Sequence, residues 1–253
     1  MQLMDIFRTR FGTDIIAEFM LPRRPSDKVA ILTSGAPGYP GNKRDVMEML
    51  SREGYWSFVP RYRGTWESGG RFLEFPPTDD VFVLMDQIPG GFRELWSGGD
   101  YRIEHPEFYL LGGSFGGPAA LIASKDERVR KAATISAVVD WRQQENTVEP
   151  LGVMSEYVPN AFGEAYRADP LVWQKLAGGG FYNPIDEKNG MDGKKLMLFH
   201  AKDDKVVHSW PAEEFAKGIG AQLVLFNDGG HMGVGRAAEP RIGKRVLKFF
   251  RER

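Results

Sequence analysis

The stretch Gly112-Gly113-Ser114-Phe115-Gly116-Gly117 follows the apolar run Phe108-Tyr109-Leu110-Leu111 and precedes Pro118-Ala119-Ala120-Leu121-Ile122-Ala123. The order reads strand, sharp turn, helix, with a serine at the apex of the turn. Side chains at Gly112 and Gly116 would collide in so tight a turn, so glycine is expected at both. A serine held this way is lifted out of the backbone at the end of a sheet. That position suits a nucleophile forming a covalent acyl intermediate. With 30 glycines in 253 residues, the five-residue pattern alone arises by chance in about one such chain in seven. Its weight therefore rests on context, and on whether an acid and a histidine follow in order.

Working outward, short apolar runs alternate with helical patterns. Ile6 to Phe11 and Asp14 to Leu21 read as strands joined at Gly12-Thr13. Val29 to Thr33 is a buried strand, and Asn42 is placed to cap a helix running to Arg52. Tyr55 to Val59 is the next strand, and Thr78 heads a helix over Asp79 to Trp96. After the turn at Ser114 come strands at Ala132–Val139, Leu196–His200 and Leu223–Phe226, with helices over Ala212–Lys217 and 238–251. This alternation predicts an α/β fold whose central, mostly parallel sheet is covered by helices on both faces. One domain over 1–253 is expected. Residues 141–194 interrupt the pattern with an aromatic-rich segment, read either as a cap or lid inserted beside the site or as an elaborated crossover with a small core of its own.

Bulk composition narrows the partners. The chain is 42% hydrophobic and 26% charged, with 33 basic and 34 acidic residues and a net charge of -1. That balance gives no field for nucleic acid or an anionic membrane. There is no cysteine, which excludes disulfides, thiolate metal sites and a cysteine nucleophile. No metal or other cofactor is called for. The start, Met1-Gln2-Leu3-Met4-Asp5, lacks the basic and apolar regions of a signal peptide. A cytoplasmic location is expected, acting on a small ester or a short peptide, with homo-oligomerisation left open.

A serine hydroxyl needs a histidine base oriented by a carboxylate, and in this arrangement the chain order is Ser, Asp or Glu, His. Of four histidines, His105 precedes Ser114, His200 lies within a strand, and His208 sits at a helix start. His231, in Asn227-Asp228-Gly229-Gly230-His231-Met232-Gly233 after the last strand, is the expected base. For the acid, Asp204 is preferred in Ala201-Lys202-Asp203-Asp204-Lys205-Val206-Val207, with Asp203, Asp228 and Asp140 as alternatives. Backbone N–H groups of Phe115 and Ala36 are the candidate oxyanion donors, since Pro37 has none. Tyr39, Trp141 and Tyr157 are candidate pocket residues.

Taken together, these stretches resemble the α/β-hydrolase superfamily, and within it the catalytic domain of the prolyl oligopeptidase family of serine peptidases. Ser34-Gly35-Ala36-Pro37-Gly38 is similar to that family's His/Tyr-Gly-Gly-Pro oxyanion loop. Gly54-Tyr55 through Pro60-Arg61-Tyr62-Arg63-Gly64 is similar to its "GY…P-x-YRG" segment. The Ser114 turn matches its GxSxGG elbow, and Gly230-His231 its base loop. His200-Ala201-Lys202-Asp203-Asp204-Lys205-Val206-Val207 is similar to its "HGxxDxxV" loop, which implies Asp204 as the acid. The likeness spans about residues 28–250. Two departures stand out. Ser34 replaces the aromatic residue of the oxyanion loop, leaving Tyr39 as a substitute to consider, and Ala36 replaces the second glycine. The family's peptidases also carry a large N-terminal propeller, for which the roughly 25 residues before the first core strand are too few. The expectation is an ester hydrolase using the family's triad, with a small peptidase or amidase as the alternative and a non-catalytic binding protein behind both.

Overall fold

The computed structural model describes residues 5–41 and 43–252; Asn42, the expected helix cap, lies outside them. Among the described residues ten strands form: β1 (Phe7–Phe11), β2 (Ile15–Met20), β3 (Lys28–Thr33), β4 (Trp56–Pro60), β5 (Phe92–Arg93), β6 (Asp100–Tyr101), β7 (Glu107–Gly113), β8 (Val129–Ile135), β9 (Leu196–Ala201) and β10 (Gln222–Phe226). Eight of them make one sheet in the order β1-β2-β4-β3-β7-β8-β9-β10, while β5 and β6 form a separate small hairpin. β1 pairs antiparallel with β2, and β2 with β4; every other pairing in the large sheet is parallel.

The parallel strands bury both faces, which explains why they read as continuous apolar runs. In β7, Phe108 and Leu110 face one layer while Tyr109 and Leu111 face the other. Helices α1 (Arg44–Arg52) and α8 (Pro240–Arg251) cover the second layer through Val46, Leu50, Val246 and Phe249. Helices α2 (Pro77–Gln87), α3 (Gly117–Ala123) and α7 (Ser209–Ile219) cover the first, through Leu84, Leu121 and Phe215.

The helix expected over Asp79 to Trp96 stops at Gln87. Ile88-Pro89-Gly90 makes one tight turn, and Phe92–Arg93 then pairs with Asp100–Tyr101. Pro89 removes an amide donor and the two glycines after it favour a bend, so the stop was present in the sequence. Pro77, rather than Thr78, opens that helix.

Between β8 and β9 the insertion folds as α4 (Leu151–Phe162), α5 (Val172–Ala177) and α6 (Pro184–Glu187), with short 3₁₀ turns. It shares its core with the sheet: Trp141, Val158, Tyr166, Trp173 and Tyr182 belong to the cluster that contains Leu110 and Ile31. It is also tied down by backbone hydrogen bonds, with Trp66 N–H donating to Ala165 O at 2.9 Å and Phe72 N–H to Arg167 O at 2.8 Å. Among the described residues no helix is long and apolar enough to cross a membrane.

Candidate active site

Ser114, Asp204 and His231 follow β7, β9 and β10 respectively, and Ala36 follows β3. Because these strands are parallel, all four loops emerge at the same end of the sheet, where ligands of open α/β sheets bind.

At the turn Ser114 has φ +51°, a left-handed conformation that costs a non-glycine residue about 1–3 kcal/mol. The surrounding backbone is packed so closely that it enforces this geometry. A Cβ on Gly116 would stand 2.3 Å from the Thr33 carbonyl oxygen, and one on Gly117 2.3 Å from Ala137 Cβ. Thr33 Oγ1 donates to Gly116 O at 2.7 Å, fastening the turn to the end of β3. The oxyanion-loop candidate also approaches the serine, though less tightly: a Cβ on Gly35 would lie 3.3 Å from Ser114 Cβ.

Ser114 Oγ lies 2.9 Å from His231 Nε2, and His231 Nδ1 lies 2.9 Å from Asp204 Oδ2. A carboxylate only accepts, so Nδ1 carries the proton, and neutral Nε2 is left to accept the Ser114 hydroxyl hydrogen. Asp204 is buried, and its second oxygen, Oδ1, accepts the N–H groups of Val206 at 3.0 Å and Val207 at 2.9 Å. Burial pushes the Asp204 carboxyl up. Hydrogen bonds from His200 and His231, the electrostatic attraction of the His231 ring and the Val207 amide outweigh that, holding it well below the usual carboxylate range.

The other acid candidates go elsewhere. Asp203 is exposed and accepts the N–H groups of Gly230 at 2.8 Å and Gly229 at 3.3 Å, so it fastens the loop that carries His231. Ser136 helps from below, its Oγ accepting Met232 N–H at 3.2 Å. Asp140 caps the 3₁₀ turn Trp141–Asn146 and pairs with Arg142 at 2.8 Å. No hydrogen bond links Asp228 to His231 among the described residues.

Sequence reading passed over His200 because it lies inside β9. Its ring is buried, with Nε2 2.8 Å from Val207 O and 3.5 Å from Asp204 Oδ2. A carbonyl accepts only, so Nε2–H donates there and leans on the same carboxylate. Its place four residues before Asp204 was the available signal.

Two cavities meet at Ser114. One, of about 860 Å³, is lined by His231, Tyr39, Arg236 and the loop Gly35–Gly38. The other, of about 40 Å³, is lined by Ala36, Phe115, Trp141, Met154 and Trp173. Trp141 is therefore brought to the serine, its indole N–H donating to Tyr182 O at 2.6 Å. Tyr39 is 75% exposed and rests against Trp66 and Phe162 rather than on Ser114. Tyr157 is half exposed, meets the Phe162 ring at 6.2 Å and lies outside both cavities. Its position on α4 turns it toward solvent, so it is a surface residue here.

A profile of the prolyl oligopeptidase family matches residues 43–253. No curated protein is similar enough to match the chain. Among solved structures, an esterase from Pyrococcus furiosus is 18% identical with a TM-score of 0.68, over 97% of this chain and 90% of its own. A soluble variant of monoglyceride lipase from Saccharomyces cerevisiae is 12% identical with a TM-score of 0.68, covering 99% and 96%. An α/β serine hydrolase without a lid from Xanthomonas campestris is 13% identical with a TM-score of 0.63, covering 98% and 94%. At these identities the solved structures speak to the fold, which is that of the α/β hydrolases.

Proposed function

The chain belongs to the prolyl oligopeptidase family, and from that premise we propose that it hydrolyses carboxylic esters of small to medium acyl groups through a Ser-His-Asp mechanism. The observation that carries this reading is the unbroken hydrogen-bond chain from Ser114 Oγ through His231 to Asp204, 2.9 Å at each step. Ser114 Oγ attacks the ester carbonyl carbon while His231 Nε2 takes its proton. The N–H groups of Phe115 and Ala36 receive the developing oxyanion, a role supported by both residues bordering the small cavity beside Ser114. The tetrahedral intermediate collapses, the C–O bond to the alcohol breaks, and His231 returns its proton to the departing oxygen. Water, deprotonated by His231, then attacks the acyl-enzyme, releasing the acid and restoring the Ser114 hydroxyl. Asp204 keeps the imidazole in the required tautomer and stabilises its charged form.

Residues 141–194 serve in this reading as a cap that shapes the substrate site. Trp141, Met154 and Trp173 forming one wall of the small cavity supports that role. A small peptidase or aminoacyl amidase is the second reading, favoured by the family match itself. Comparing p-nitrophenyl esters with aminoacyl p-nitroanilides separates the two.

Ser114→Ala is expected to abolish both turnover and labelling by a fluorophosphonate, with an unchanged circular dichroism spectrum. Labelling that persists in the variant would remove Ser114 from the role of nucleophile.

A further inference from the structure

The cavities at Ser114 differ in size, in lining and in their relation to His231. The wide one, about 860 Å³, contains His231 in its wall together with Lys43, Arg44, Asp45, Glu149 and Arg236. The narrow one, about 40 Å³, is walled largely by Trp141, Leu151, Met154, Trp173, Val206 and Val207, with Gln144 and Glu149, the latter shared with the wide cavity, at its border; His231 is not part of it.

The reaction fixes which half of the substrate goes where. His231 must protonate the departing alcohol oxygen, so the alcohol has to lie on the side that His231 borders. The acyl group is left with the narrow cavity. A volume of about 10–15 Å³ admits one water-sized group, so the narrow cavity takes about three heavy atoms. The wide cavity presents charges of both signs, which an alkyl chain would desolvate without compensation and a hydroxylated one would hydrogen-bond.

We propose that the substrates are short acyl esters, acetyl to butyryl, of large polar alcohols, with Met154 among the residues that limit acyl length. This rests on the ester-hydrolase reading above. Met154 is buried on α4 and flexible in shape, so its truncation lengthens the cavity without adding a polar group.

The test uses isomeric esters that place the same bulk on opposite sides of the bond. 2-Phenylethyl acetate should be cleaved with a kcat/KM at least about tenfold above that of methyl 3-phenylpropanoate. p-Nitrophenyl octanoate should fall at least about tenfold below the butyrate, and Met154→Ala should raise the octanoate-to-acetate ratio by a similar factor. Glycerol monoacetate should outpace pentyl acetate. Equal or reversed preference within the isomer pair, or octanoate turned over as well as acetate, overturns the proposal even if Met154→Ala fails to fold. Fluorophosphonate labelling of wild-type Ser114 is read in parallel. A labelled enzyme with reversed isomer preference sinks the cavity assignment alone, whereas no labelling and no turnover sinks the ester-hydrolase reading with it.

Discussion

The loops at the end of the sheet and the insertion over 141–194 surround the same serine, yet they are built on different principles. In the turn that carries Ser114, backbone meets backbone. A Cβ on Gly113 would stand 2.5 Å from Val234 N, and one on Gly112 2.7 Å from Gly116 O. Within the insertion most of the backbone is more open: a Cβ on Gly163 or Gly180 would meet nothing within 4 Å and one on Gly178 only atoms 3.6 Å away, whereas Gly193, where the insertion rejoins β9, is as tight as the Ser114 turn, a Cβ there standing 2.1 Å from Ile219 O. Where the insertion faces the serine it packs by side chains, such as Phe115 against Trp141 at 5.5 Å and Phe72 against Trp173 at 6.0 Å. Close backbone packing leaves the reacting atoms little freedom to drift, while side-chain packing tolerates exchange of shape. The proposed chemistry therefore sits on the rigid half and the proposed specificity on the adaptable half.

Five substitutions sharpen or break this contrast. Asp204→Asn should lower kcat by about 10⁴-fold, because an amide facing Nδ1 no longer holds the required tautomer. Asp203→Asn should lose far less, and Asp140→Asn, just before the insertion, less than that; steady-state kinetics on one ester decides the order. Equal losses for Asp203 and Asp204 would dissolve the assignment of the acid. Gly116→Ala should cost about 1–3 kcal/mol or more, since carbonyl oxygens cannot move aside as side chains do. Gly180→Ala should stay within about 0.5 kcal/mol, and urea unfolding of the two variants compares them directly.

The smallest effect is the pH dependence of stability at Asp204. Its folded carboxyl lies below the ordinary value of 3.8, so its contribution is fully present above that pH and lost as pH falls through the lower folded value. The gap in melting temperature between wild type and Asp204→Asn should accordingly close on acidification below about pH 4. A gap that stays constant down to pH 2.5 would show that Asp204 is not stabilised as its hydrogen bonds require.

Much of the fold was legible because it is written locally. Apolar runs of strand length and the glycine-flanked Ser114 lie in short windows of sequence, and the order Ser114, Asp204, His231 can be read from three such windows taken in turn. The helix end at Gln87 was legible too, through Pro89-Gly90-Gly91, although the helix was expected to run on to Trp96. What the sequence left open were choices between neighbours of equal chemistry. Asp203 and Asp204 are adjacent carboxylates, and only the turn after β9 sends one inward to His231 and the other outward to the Gly229 and Gly230 amides.

Composition and pattern by themselves determined the element order, the sheet class and the candidate nucleophile, because each depends on residues a few positions apart. Tertiary structure alone decided the contacts that span the chain: Ser114 to His231 across 117 positions, and His231 to Asp204 across 27. It also brought Trp141 to the serine, left Tyr157 in solvent and joined His200 to the carboxylate. Such contacts depend on which strands are neighbours and in what register, and that is settled by burying both faces of the sheet at once, a property of the whole chain and not of any window of it.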